Sequence, residues 1–463
     1  MFYRIKKSIL LFSVSFFLAI SAYSQDYLGF ANSAFAGVNG IDVNPASIVG
    51  NHRKWDVTVF GLNLGVANNY LGFQKRALEH TGTMLYGDYP AFNNSDDFVN
   101  DFMTRRKLKK PISVHVGLNL TLPSFMFTRK KHKDAFAFTC KSRTYVNVDG
   151  LDPALAQMAI TGGTDSTYFF QDLTGTRISV QAMLWNEYGI TYGKTAMETK
   201  NERLNIAGRV KLLQGLYSMY AYIKDVDYKF YEKDSILVLT SQVNYGHSSN
   251  LEFNPNAIKF GFGGRPSLGL DLGATYEFHA LTDVRSRMSS ESKASPLQRD
   301  YKYKIGFSLQ DLGWIKFLKP EHARNFAMNI DQTLDFGSLQ GSGETPLADI
   351  DDTLNKKYPM DASDDKYRMN LPTLASLQGD YYVGKNIYIN STINYAFQFK
   401  NNSNKIHEIS TISLTPRWDW KWLGFYMPIS YNKYSHMRLG ASARIGLSLI
   451  HISEPTRLRR NSY

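Results

Sequence analysis

Ser267–His279 reads SLGLDLGATYEFH. Leu268, Leu270, Leu272, Ala274, Tyr276 and Phe278 alternate with Ser267, Gly269, Asp271, Gly273, Thr275, Glu277 and His279, and in an extended chain successive side chains point to opposite faces. The stretch is therefore a strand of about 12 residues with one wholly apolar face. Two more segments obey the rule. Residues 112–121, ISVHVGLNLT, set Ile112, Val114, Val116, Leu118 and Leu120 against Ser113, His115, Gly117, Asn119 and Thr121. Residues 386–399, NIYINSTINYAFQF, set Ile387, Ile389, Ile393, Tyr395, Phe397 and Phe399 against polar neighbours.

Weaker copies at 55–66, 134–148, 182–197, 204–215, 217–231, 235–246, 301–310, 324–334, 373–384, 407–418, 425–432 and 437–450 bring the expected number of strands to about fifteen. Most approach the 9–11 residues a tilted strand needs to cross a bilayer, well above the usual soluble strand of about 5–6. Gly117, Gly269, Gly273, Gly306, Gly440 and Gly446 fall on the polar face, which suits a crowded, curved interior better than a water-facing sandwich surface. Phe125, Phe127, Tyr381, Tyr382, Phe425 and Tyr426 lie near strand ends, where a membrane-interface girdle would place them. Long polar links at 74–110, 149–177, 280–300 and 336–369 contrast with short ones at 231–235 and 383–386, an alternation typical of outer-membrane barrels. The expected fold is all-β: a transmembrane antiparallel β-barrel of about 14–16 strands.

The N-terminus fits export. Arg4, Lys6 and Lys7 precede a short apolar run, and SAYSQ supplies a cleavage site between Ser24 and Gln25, so residues 1–24 read as a signal peptide. Cys140 is the single cysteine, which excludes an internal disulfide. The net charge of +12 suits the phosphates of outer-membrane lipid and lipopolysaccharide, and no nucleic-acid motif accompanies it. The sequence has no Gly-x-Ser-x-Gly elbow, paired-His metal motif or phosphate-binding Gly-Lys-Ser/Thr loop, so neither an enzyme nor a cofactor or metal site is expected. His115, His279, His407 and His436 read as structural or solvated, and the acidic run 349–365 as a solvated loop without calcium-loop spacing.

NPASIVG (44–50), LNIAGRVKLLQGLY (204–217), GLDLGATYEF (269–278) and YKIGFSLQDLGWIKF (303–317), in this order, resemble the long-chain fatty-acid transporter (FadL-like) superfamily of outer-membrane barrels, and more closely its Bacteroidota branch of PorV-like and uncharacterised barrels. The resemblance implies a barrel of about 14 strands in the outer membrane, with an N-terminal segment folded inward as a plug. It implies one of two roles: a channel for uptake of hydrophobic or amphipathic solutes, or a PorV-like scaffold or shuttle for surface protein secretion and attachment. The corresponding partners are hydrophobic small molecules or secretion-system proteins.

On this reading residues 25–54 are the plug and 55–450 the barrel. Asn44, Pro45, Ala46 and Ser47 are its turning point, since small residues let a backbone pack inside a lumen and Pro biases the preceding residue towards extended geometry; Trp55 opens the first wall strand. Arg209, Lys211, Asp271, Glu277, Arg438 and Arg444 are the lumen-facing candidates, because a cation on the lipid face near the midplane costs about 2–4 kcal/mol. Solute binding and mutual pairing both remain open for them, with pairing favoured. After residue 450 the chain ends HISEPTRLRRNSY. Residues 451–463 resemble translated adapter sequence and break the alternation, so a non-native tail, a missing last strand and an open seam are expected.

Overall fold

The computed structural model describes residues 30–49, 51, 54–73, 103–105, 110–129, 131–160, 165–232, 235–251, 264–280, 301–320, 328–330, 334–335, 349, 351–353, 356, 366–397, 405–420, 422–445 and 448–454. The signal-peptide reading and most of the links 74–110, 280–300 and 336–369 lie outside these residues.

The described chain is all-β. Its principal strands are β1 (Trp55–Thr58), β2 (Gly61–Asn68), β3 (Ile112–Arg129), β4 (Asp134–Leu151), β5 (Leu173–Glu198), β6 (Glu202–Glu232), β7 (Ser235–His247), β8 (Ser267–Phe278), β9 (Tyr303–Leu318), β10 (Leu374–Gly384), β11 (Ile387–Ala396), β12 (Thr411–Asp419), β13 (Leu423–Tyr426), β14 (Ile429–Asn432), β15 (His436–Ile445) and β16 (Ser448–Glu454). With shorter pieces they join one 20-stranded antiparallel sheet. β1 and β2 both pair with β3. Neighbours then follow chain order, with two exceptions: β6 forks, its first half pairing with β8 and its second with β7, and β13 and β14 lie end to end, each pairing with β12 on one side and β15 on the other. A short helix, α1 (Pro153–Ile160), follows β4.

Period-two patterning survives intact where both faces have defined surroundings. Leu268, Leu270 and Leu272 are exposed, whereas Asp271 and Glu277 on the same strand are 2% and 3% exposed. Lys385 and Asn386 link β10 to β11 with φ of 49° and 65°, the left-handed pair that matches hairpin twist. At Pro123–Ser124 the β3–β4 register slips, because proline has no amide to donate, and the edge partner changes there from β2 to β1.

The sheet is strongly curved. Residues 30–49 touch strands far apart in its order: Val38 N donates to Asp56 of β1 at 3.0 Å, Asn44 Nδ2 reaches Gln378 of β10 at 2.9 Å, and Arg444 of β15 covers the Phe35 ring at 4.8 Å. One face is thus concave and wraps this segment. From the other end of the chain order, Arg438 Nη2 of β15 donates to Val66 O of β2 at 2.9 Å. Among the described residues β16 pairs with β15 alone.

Several expectations change. Segments 204–215 and 217–231 are one strand, β6, because Leu216 is skipped in the ladder between Trp185↔Gly215 and Leu184↔Tyr217; the bulge exchanges inner and outer positions without ending the pairing. Segment 437–450 is two strands, β15 and β16, and Gly446, expected on the polar face of a strand, lies outside the described residues. Residues 451–454, expected as tail, continue β16 with Ser442↔His451 and Leu439↔Glu454 in register. Tyr382 and Tyr426 are 4% and 2% exposed, pointing inward, since adjacent strand residues cannot both face out. The 280–300 link joins Phe278 to Tyr303, which pair directly, at the same end as the 384–387 turn; strand parity, not link length, fixes the end.

Candidate functional site

The site is built on the concave face, beginning with the segment it encloses. Gly37–Asp42 and Pro45–Ile48 are 3-10 turns. Asn44 between them is extended (φ −155°, ψ 116°) and its side chain accepts from Ala46 N, as expected of a residue before proline that caps a turn. Its amide donates to Ala274 O at 3.0 Å and Phe307 O at 3.2 Å, besides Gln378. Pro45, Ala46 and Ile48 are buried, and Ser47 Oγ, also buried, has no hydrogen-bond partner among the described residues. Glycine in the wall makes room: a Cβ on Gly273 would lie 2.2 Å from Asn44 Oδ1 and 2.8 Å from Pro45 Cδ. At the segment's start, Asn32 Nδ2 donates to Asn390 and Thr392 at 3.2 and 3.1 Å.

Beside it lies a buried ionic cluster. Lys211 Nζ is 2.7 Å from Asp271 and also bonds Asp311. Arg209 contacts Glu187 at 3.1 Å and Asp271 at 3.4 Å. Arg143 bonds Asp311 at 2.9 Å and Glu187 at 3.3 Å. Lys141 pairs with Asp42 of the segment. Glu277 stands apart, 3.7 Å from Arg203. In a second cluster Arg417 bonds Asp380 at 2.7 Å and lies 3.3 Å from Asp419; Arg444 lies 3.6 Å from Asp419 and donates to the Tyr426 hydroxyl at 3.2 Å. Arg438, at neither, bonds Val66 O and Ser435. Of the six sequence candidates, the fold thus joins Arg209, Lys211 and Asp271 in one cluster and places Arg444 in another. Within the two clusters each buried charge meets an opposite one, the condition for tolerating it.

Sequence reasoning missed Glu187, Asp311, Arg143, Asp380, Asp419 and Arg417. Glu187 was hidden because Met183 and Trp185 share its inward face, which removes the alternation. Asp311 would face outward by parity; φ of 56° turns it inward at a bulge.

Next to the first cluster the concavity is apolar: Trp185, Leu213, Ile315, Phe317, Met369 and Leu371 form the heart of a fully buried group. Among the described residues the Trp185 Nε1–H in it has no acceptor. A cavity of about 60 Å³ lies beside the group, lined by His115, Asn119, Tyr145, Glu408, Asn432 and Arg438. His115 bonds Asn147 at 2.7 Å and His407 bonds Asp149 at 2.6 Å. Asp351, expected in a solvated loop, is instead buried and 2.9 Å from His247. Among the described residues no three His, Cys, Asp or Glu side chains gather as a metal site.

No curated protein matches the chain. Residues 45–452 match a family of unknown function, DUF5723. The match begins at Pro45 of the enclosed segment and runs through β1 to β15 into β16, so it takes in the curved sheet and both ionic clusters. The chain belongs to this family of unknown function, DUF5723.

Proposed function

We propose that the sheet closes as an outer-membrane β-barrel, that residues 30–49 plug its lumen, and that the protein is a channel for hydrophobic or amphipathic solutes. The convex face supports the membrane part. Val57, Ile190, Leu268, Phe307, Leu377 and Ile412, on six strands spread across the sheet, are each 46–68% exposed. In water such a continuous apolar surface would drive association; in a bilayer it is the required outer face.

The observation that carries the solute class is the apolar group around Trp185, Leu213, Phe317 and Met369, set on a concave face that is otherwise polar. These four residues are packed shut at 0% exposure in this structure; opened, the group would offer apolar chains a wall that hydrated solutes do not need. The test is to purify the full chain from membranes, identify co-purifying small molecules by mass spectrometry, and measure entry of a fluorescent amphiphile into proteoliposomes. The reading expects a bound apolar ligand and entry faster than in protein-free vesicles. Recovery as a water-soluble protein, or entry at the protein-free rate even without residues 30–49, would overturn it.

One observation favours the scaffold reading as a second possibility. β6 has 31 residues, roughly 100 Å of strand at about 3.3 Å per residue, against a hydrocarbon core of about 30 Å. Together with β5 and β7 it extends well past any bilayer and offers a broad surface. Stable co-purification of a secreted protein, lost when that extension is shortened, would support this alternative over the channel.

A further inference from the structure

Residues 30–49 contain a single ionisable side chain, Asp42. A neutral segment would be cheaper to enclose, because a carboxylate loses its hydration there. Asp42 meets Lys141 of β4 and lies 3.9 Å from Arg209 Nη1 of β6. The Lys141 side chain is 7% exposed. Its cross-strand neighbour is Glu187, but that carboxylate is engaged by Arg209 at 3.1 Å and Arg143 at 3.3 Å. On the far side of the cluster Glu408 sits 3.8 Å from Arg143. Among the described residues, Lys141 therefore makes its ion pair with Asp42 alone.

We infer that Lys141 and Arg209 form an anion site on the inner wall, filled by the Asp42 carboxylate while the segment is seated and by a small anion when the segment leaves. The inference rests on the channel reading. Withdrawing Asp42 takes from Lys141 its ion-pair partner among the described residues and leaves the ammonium facing the lumen, where a small anion can take the place of the carboxylate. Seating and anion binding compete for one position, and by linkage each weakens the other. The same charge favours anions over cations in the open lumen. A carboxylate solute and a halide share the required chemistry; only the carboxylate matches Asp42 in shape.

The test uses the full chain in planar bilayers, with chloride and acetate as probes, and with heat-modifiable gel mobility as the check on folding. Asp42→Asn should raise the open fraction by at least about tenfold, the ratio equivalent to ~1.4 kcal/mol. Acetate should open the parent protein in a dose-dependent way and leave Asp42→Asn and Lys141→Gln unresponsive; equal opening by chloride would assign the site to anions in general. In a variant lacking residues 30–49, adding Lys141→Gln should lower the chloride-to-potassium permeability ratio several-fold. An Asp42→Cys/Lys141→Cys pair in a Cys140→Ser background should close on oxidation and reopen on reduction. An unchanged open fraction in Asp42→Asn, or a permeability ratio indifferent to Lys141→Gln, overturns the inference and leaves the channel standing. A folded variant without residues 30–49 that does not conduct overturns the channel reading itself, and the inference with it.

Discussion

Gly273→Ala should unseat the N-terminal segment while leaving the sheet intact. The added Cβ would fall 2.2 Å from Asn44 Oδ1, 2.8 Å from Pro45 Cδ and 3.1 Å from Pro45 N, well inside ordinary contact distance. Pro45 is covalently rigid and Asn44 is fixed by hydrogen bonds, so neither can rotate aside; the segment must retreat. Retreat takes the Asn44 amide away from Ala274 O, Phe307 O and Gln378 Oε1. Two N–H groups shared among three acceptors are worth about 1 kcal/mol each, so seating weakens by about 2 kcal/mol, or roughly 30-fold. Hydrogen exchange in detergent reads this directly at the amides of Ala46 and Val49, which donate to Asn44 Oδ1 and Ala46 O in the seated state. Gly379→Ala is the control, since its Cβ would meet nothing within 4 Å. Protection at Ala46 and Val49 unchanged in Gly273→Ala, or equally reduced in Gly379→Ala, would refute the reasoning.

Asp271→Asn removes a carboxylate that Arg209, Lys211 and the Asp311 amide all contact; loss of one member of a buried ionic group should cost about 3–5 kcal/mol in urea unfolding, and a cost below about 1 kcal/mol would show that the cluster is hydrated. Leu272→Arg, on the 46% exposed convex position, should cost about 2–4 kcal/mol in lipid vesicles, whereas a water-facing site would tolerate it within about 0.5 kcal/mol. Gly215→Val should disrupt the apolar group, because even a Cβ there would meet the Phe317 ring at 2.6 Å; near-ultraviolet circular dichroism would report the loss of fixed aromatic packing, and an unaltered spectrum would contradict the placement.

The fold was legible wherever alternation coincided with a single surrounding on each face. β8 follows the sequence pattern closely, because its outward residues are all apolar and its inward ones small or polar; β10 and β11 keep the same period with Gly379 and Ser391 as outward exceptions. The pattern failed at particular places for particular reasons. Leu216 swaps inner and outer positions within β6, so one strand reads as two. Tyr382 and Tyr426 carry the aromatic character of a girdle yet bond inward-facing groups, as Tyr426 does with Asp419 at 2.5 Å. The candidate cations and acids were found by parity, but their partners came from strands distant in sequence: Asp311 is 100 residues from Lys211, and no local pattern connects them. The small-residue segment was readable as enclosed chain; that Gly273 receives it, and that Asp42 is its charged contact, depends on curvature that only the assembled sheet reveals.

The account's central claim is that the convex face of this sheet meets lipid and the concave face encloses a lumen. Spin labels placed singly at positions 267–278, in a Cys140→Ser background and in a reconstituted bilayer, test it most directly. The account predicts that labels at 268, 270 and 272 collide with oxygen and are shielded from a water-soluble nickel chelate, and that labels at 275 and 277, on the buried inward side of the same strand, show no such preference for oxygen. Free access of the nickel chelate to positions 268, 270 and 272 would contradict it.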